Sequence, residues 1–336
     1  MRYSIIVPVF NRPDEVDELL ESLGSQTLKD FEVVIVEDGS KIPCKDVCDK
    51  YADVLDLHYY YKDNSGPGQS RNYGVERANG EYVVIVDSDA VLPPGFVQAI
   101  DDELRRQPTD AWGGPDAAHG SFTVIQKAIS YAMTSFFTTG GIRGGKKQME
   151  KFHPRSFNLG VRRQVYLALG GFSTERFSKM ALYGEDIDFS IRIFRGGYSC
   201  RLFPGAWLWH KRRTDFRRFW RQVYNSGYAR INLWRKYPEA LKPVHALPAV
   251  FTVGVALLVV GWMAGLVCWA LGVAPSVSCL VSAWALLPVL LFALLVFVDS
   301  TIRNRSLMVG LVSVPAAFVQ LIGYGIGFIE ALLRRP

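Results

Sequence analysis

The chain has 336 residues, 49% of them hydrophobic, and a net charge of +6. These averages conceal two compositions: residues 1–247 hold 64 of the 70 charged side chains, and the last 89 residues hold only Asp299, Arg303, Arg305, Glu330, Arg334 and Arg335. Residues 243–298 and 306–329 contain no Asp, Glu, Lys or Arg, which argues against a wholly soluble protein, and the front segment excludes a purely fibrous or disordered one. A membrane-crossing helix needs about 20 apolar residues. The first run therefore predicts two spans, near 249–272 and 276–298, and the second predicts one, near 307–329.

The positive charge is a belt. Residues 201–247 carry eleven Lys/Arg against Asp215 and Glu239, so the remainder of the chain is slightly acidic. A basic belt just before a span fits a cytoplasmic face and anionic lipid head groups better than nucleic acid. Arg303 and Arg305 fall on that same face, whereas three crossings would put Arg334 and Arg335 opposite. Five cysteines at unpaired spacings suit a reducing compartment. Because Met1-Arg2 leads straight into a strand-like run, no signal peptide is expected and targeting is assigned to the tail.

In chain order, strands are predicted at 3–9, 31–37, 56–61 and 82–87, with helices at 13–26, 45–53 and 68–79 between them. This βαβ rhythm predicts a parallel sheet covered on both faces, with ligands gathering where the strands end. Those ends read Pro8-Val-Phe-Asn11, Glu37-Asp-Gly-Ser40, Asn64-Ser-Gly-Pro-Gly68 and Asp87-Ser-Asp89. Further on come helices near 95–106 and 124–137, a glycine loop at 140–145, a strand near 155–161 and a helix at 162–169. The Gly170-Gly171 turn, a helix at 185–195 and a strand at 198–203 complete the domain. Residues 214–236 space aromatic and aliphatic side chains at three and four, flanked by Arg217, Arg218, Arg221 and Arg230, as in a helix lying on a membrane. Domains are thus expected at 1–212, 213–246 (a basic amphipathic linker) and 247–336.

Asp87-Ser-Asp89 puts two carboxylates at the end of a central strand, a donor set for Mg²⁺ or Mn²⁺, or else a cap for the next turn. Glu185-Asp-Ile-Asp188 either favours a helix N-terminus or supplies a general base. The loop 64–74 lacks the third glycine of a dinucleotide fingerprint, since Arg71 stands there, and suits an anion-facing helix entry. His210 is either a third metal ligand or a surface histidine, and Cys44 and Cys48 lack the partners of a zinc site.

With Asn158-Leu-Gly-Val-Arg-Arg163 and Gly170-Gly-Phe172, these segments stand in the order of the inverting glycosyltransferase family 2, which the chain resembles over residues 3–230. The resemblance implies an α/β fold of the GT-A type, Rossmann-like, ahead of the helical transmembrane region. It implies that Pro8, Phe10 and Asp38 hold the nucleotide, with Arg71 near the phosphates and Asp87 and Ser88 beside ribose and metal. Asp89 would bind Mn²⁺ or Mg²⁺ directly, with Asp87 and His210. Asp186 matches the catalytic base, and Glu185 would contact the acceptor. The implied partners are a nucleotide-diphosphate sugar, with uracil the expected base and guanine or thymine the alternatives, and a lipid-linked or membrane-proximal acceptor. The Gln-x-x-Arg-Trp motif of processive members is replaced by Arg221-Gln-Val-Tyr-Asn-Ser-Gly-Tyr-Ala-Arg230, which favours single additions. A processive synthase and a non-catalytic scaffold are the competing readings, and the oligomeric state is left open.

Overall fold

The computed structural model describes residues 1–117, 122–140, 153–173, 184–211 and 213–334. The glycine loop expected at 140–145 lies, beyond Gly140, outside the described residues, as do Arg212 and Arg335. The chain runs through β1 (Tyr3–Val9), α1 (Pro13–Gly24), β2 (Phe31–Asp38), α2 (Lys45–Lys50), β3 (Leu57–Lys62), α3 (Pro67–Glu76), β4 (Tyr82–Val86) and β5 (Ala90–Val91). Next come α4 (Phe96–Arg106), β6 (Ala111–Gly113), β7 (Asp116–Ala117), α5 (Val124–Thr134), α6 (Phe136–Thr139), β8 (Asn158–Arg162), α7 (Arg163–Ala168), α8 (Glu185–Arg195), β9 (Cys200–Leu202) and β10 (Leu208–His210). The C-terminal third is helical: α9 (Phe216–Lys236), α10 (Leu247–Ala270), α11 (Pro275–Ala285), α12 (Leu287–Asn304) and α13 (Leu307–Leu333).

Two compact units result, one from 1–120 with 145–211 and one from 121–144 with 212–336. In the first, seven strands are ordered β3-β2-β1-β4-β8-β6-β9, with β1 to β4 mutually parallel where paired and β8 antiparallel to both β4 and β6. The β-branched runs explain the layers. Successive side chains of a strand face opposite ways, so Ile5 and Val7 of β1 join Leu19, Leu20 and Ile100 in one core, while Ile6 joins Val34, Val75 and Phe189 in the other. A second sheet, β5-β10-β7, sits in the same unit.

In the second unit the predicted helix 124–137 is interrupted at Ser135, whose extended backbone caps α6 through a bond from Phe137 N at 3.3 Å. This segment, expected within the first domain, belongs to the helical unit. The predicted span 276–298 is likewise broken at Leu286. Pro288, in the first turn of α12, has no N–H to continue the ladder of α11.

The basic helix α9 departs from its expected place with its apolar side on lipid. Phe219 and Val223 pack against Ala316, and Ile231 packs against Phe328 and Ala331 of α13. Glycines permit the contact: a Cβ at Gly227 would sit 2.1 Å from the Tyr324 carbonyl, and one at Gly327 would sit 2.1 Å from that of Tyr224. Small residues at a helix contact let the backbones approach this closely. Trp220, Trp234, Arg217, Arg218 and Arg221 stay exposed.

Candidate active site

The site is built where β4 ends. Asp87 and Asp89 follow directly, and β10 pairs antiparallel with β5 so that His210 lies opposite Ala90. This register carries a histidine 121 positions away to the carboxylates: Nε2 of His210 lies 3.2 Å from Asp89 Oδ1 and 3.7 Å from Asp87 Oδ2. The pairing of β8 with β4 sets Asn158 beside Val86, and the preceding Phe157 stacks on the His210 ring at 4.6 Å and 18°. His210 is therefore part of the cluster and no ordinary surface histidine.

Ligand atoms of Asp87, Asp89 and His210 all lie within 4.8 Å of one another. Arg12, at the start of α1, ion-pairs with Asp89 Oδ2. The other oxygen, Oδ1, is buried and faces Nε2 of His210 at 3.2 Å, the two atoms that would share a cation bound here. Burial alone would raise the Asp89 pKa, but His210 and the Arg12 guanidinium outweigh it and hold the carboxyl below the usual range. Two carboxylates and an imidazole fit a divalent metal. The nitrogen donor suits Mn²⁺ better than Mg²⁺, which prefers an all-oxygen shell.

The nucleotide side follows from β1, β2 and β3. Phe10 is half exposed just past β1, and Pro8 lies within that strand. Asn11, with φ of +55°, accepts bonds from Lys41 N at 2.8 Å and Ile42 N at 3.2 Å, which knits the first two strand ends together. Asp38 is buried and already engaged: it accepts from Ser65 N and Gly66 N, each at 2.9 Å, and pairs with Lys62. Burial would raise its pKa, and these three donors lower it instead. Its observed work is to shape the loop entering α3. Ser88 is buried between the two acids.

Arg71 connects the two acidic groups. Its Nη2 donates to Asp87 Oδ1 at 2.9 Å, its Nη1 lies 3.7 Å from Glu185 Oε2, and its guanidinium stands 5.2 Å from the centre of the Phe172 ring. The neighbouring Asn72 explains the Gly170-Gly171-Phe172 turn. Its Oδ1 accepts from Phe172 N at 2.8 Å and from the Tyr166 hydroxyl at 2.6 Å.

At the start of α8 the acids divide. Glu185 is buried against Gly68, where a Cβ would meet its Oε2 at 2.7 Å. Asp186 is more open, with Arg155 Nη1 at 3.3 Å from Oδ2. Asp188 is fully buried and bonded to Arg192 at 2.9 Å, and Arg192 in turn holds the carbonyls of Leu169 and Gly171. Asp188 is thus part of the frame.

Burial pushes the Glu185 pKa up to about 7, with Arg71 opposing and Asp186 and Asp188 adding to the rise. A folded carboxyl with a raised pKa binds a proton the unfolded chain has released. Its contribution is complete below about pH 4.5 and is lost as pH rises through about 7, a change of roughly 3 kcal/mol at most. Glu185→Gln is expected to flatten the stability profile across that window, measured by denaturant unfolding in detergent from pH 4.5 to 8. Equal slopes in both proteins would refute the assignment.

Arg12, Arg155 and Phe157 are site residues that motif reading missed. Nothing in their local sequence marks them, because each becomes relevant only through strand pairing or a loop crossing. Geometry and comparison agree on the class. Residues 4–169 match the model of glycosyl transferase family 2, and that stretch of the chain is a family 2 glycosyltransferase domain. It is 27% identical to the glucosyl-dolichyl phosphate glucuronosyltransferase of Haloferax volcanii over 71% of this chain and 80% of that one. To the poly(ribitol-phosphate) beta-N-acetylglucosaminyltransferase TarS of Staphylococcus aureus it is 39% identical over 93 residues, 26% of this chain and only 16% of TarS. The mannosyltransferase PcManGT from Pyrobaculum calidifontis, solved with GDP-Man and Mn²⁺, aligns with a TM-score of 0.58 at 18% identity. That alignment covers 99% of this chain and 87% of PcManGT, and the shared fold is GT-A.

Proposed function

We propose that the protein is an inverting glycosyltransferase that moves one sugar from a nucleotide-diphosphate sugar to a hydroxyl of a lipid-linked or membrane-proximal acceptor. Cell-surface polysaccharide or glycolipid synthesis at the cytoplasmic face of the plasma membrane is the setting this implies. The observation that carries the reading is the convergence of Asp87, Asp89 and His210 at the end of β4, joined through Arg71 to the acids that open α8. A non-catalytic scaffold has no use for two strand-end carboxylates and an imidazole gathered on one point.

Asp87, Asp89 and His210 would hold Mn²⁺ or Mg²⁺, which when bound neutralises the departing diphosphate. The chain's own groups do the rest. Phe10 and Pro8 offer an apolar rim for the base, and Arg71 adds positive charge beside the phosphates. Asp186 takes the proton of the acceptor hydroxyl as its oxygen forms the new bond to the anomeric carbon and the bond to the phosphate oxygen breaks. One base on the face opposite the leaving group gives inversion. Arg155 fixes the Asp186 carboxylate through their contact. PcManGT with GDP-Man supports keeping guanine beside uracil as the base, and the Haloferax relative supports a lipid-phosphate acceptor.

The test is a donor screen on detergent-purified protein with Mn²⁺ or Mg²⁺ and lipid extract, followed by NMR of the product anomer. Metal-dependent transfer from one donor with inverted configuration is expected. Retained configuration would refute the single-displacement mechanism, and silence with every donor would favour the scaffold reading.

A further inference from the structure

We infer that α13, although long and apolar enough to span a membrane, lies along the membrane surface beside α9, so that the chain crosses only twice, through α10 and the α11–α12 segment. This rests on the membrane reading above and deepens it. The interaction surface it defines is the α9–α13 pair, and its partner is an anionic lipid leaflet.

Three observations carry it. The first is direction. In an up-down-up bundle of three spans, α13 would run parallel to α10, start beside start and end beside end. Instead a Cβ at Gly325 would meet the Pro248 carbonyl, Ala249 packs with Phe328, and Thr252 reaches the Leu321 carbonyl at 3.4 Å. The later residues of α13 thus sit against the first turns of α10. The end of α13 is therefore on the side where α10 begins.

The second is length. Phe251, Phe292 and Phe318 form one ring cluster with centroids 5.1 to 5.9 Å apart. Beyond it α10 continues to Ala270 and the chain returns from Pro275, two arms of roughly 26–28 Å at 1.5 Å per residue. Those arms match the hydrocarbon thickness of about 30 Å without any contribution from α13. Below the cluster, α12 and α13 pair with each other through Ser300 and Ser313, whose hydroxyls are 2.7 Å apart and buried, and Asp299 accepts from Tyr131 of α5.

The third is company. α9 follows α13 in the same direction from Phe219 beside Ala316 to Arg235, which donates to the carbonyls of Ala331 and Arg334. Arg217, Arg218 and Arg221 are exposed near the start of α9, alongside the middle of α13. If α13 crossed the bilayer, these arginines would enter it too, where isolated charges are strongly disfavoured. Burial agrees: 44% of the most apolar stretch of α13 is covered, against 6% in each of the other two candidate spans.

Laid on the surface, α13 keeps Arg303, Arg305 and Arg334 on the face of the basic belt, which resolves the charge asymmetry that three crossings create. The exposed arginines of α9 would then lie at the head groups of that leaflet.

The experiment places an epitope tag before Met1, after Val273 or after Pro336 in the full chain, in bacterial membranes. Protease is then applied to spheroplasts and to inverted vesicles. Tags at both ends are expected to be removed only from inverted vesicles, and the tag after Val273 only from spheroplasts. A C-terminal tag removed from spheroplasts would overturn this topology alone. Release of the chain by alkaline carbonate would overturn the membrane reading with it.

Discussion

Asp186→Asn is expected to lower the turnover of sugar transfer by about 10²–10⁴-fold, the usual worth of a positioned general base, while donor affinity stays within a few-fold of the wild type. The side chain is isosteric, and Asp186 bonds locally to Ile187 N at 2.9 Å without supporting the core, so folding should be spared. The pattern to look for is a fall in kcat with little change in donor KM. Equal activity would move the base to Glu185, the only other acid of this helix turn not tied up by Arg192 among the described residues. Glu185→Gln then becomes the deciding variant, read at pH 8 where the wild-type Glu185 carboxyl is mostly ionised.

Asp89→Ala is expected to lose both metal and activity. It removes one of the three side chains assigned to the metal and leaves Arg12 and His210 facing each other without the carboxylate that pairs them. Transfer should fall by at least about 10²–10³-fold, as when one preorganised electrostatic group is deleted. Mn²⁺ titration followed by electron paramagnetic resonance, on protein without donor, is the independent readout. Wild-type Mn²⁺ affinity in the variant would refute the assignment of this cluster as the metal site.

Several parts of this site were legible in the sequence. The βαβ rhythm up to residue 87 follows from runs of β-branched residues separated by polar, glycine-marked ends, and strand and helix periods of these lengths differ enough to be told apart. Asp87 and Asp89 could be placed at a strand end because Tyr82–Val86 is uninterruptedly apolar. The acids of α8 could be placed in a first turn because Gly184 precedes them, and it adopts φ of +93° there.

Other parts were not. His210 could be read either way until the β5–β10 pairing was known, since a three-residue strand has no periodicity of its own. Arg12 could not be linked to Asp89, nor Phe157 to His210, from their local surroundings. The residues 124–139 looked like part of the first domain because chain order is what a sequence presents, yet their apolar face is matched by α13.

The same division holds for the membrane region. Composition alone determines that the last quarter is apolar enough to enter a bilayer and that the basic belt marks one side, because transfer free energies depend on residue type and sum along a helix. Which helices cross is a different matter. Hydropathy makes α13 a candidate span as it does its neighbours, and only tertiary packing, with glycines admitting α9 along its length and its end set against the start of α10, decides where it lies. Helix direction and partnership are relations between distant residues, and no window along the chain contains both partners.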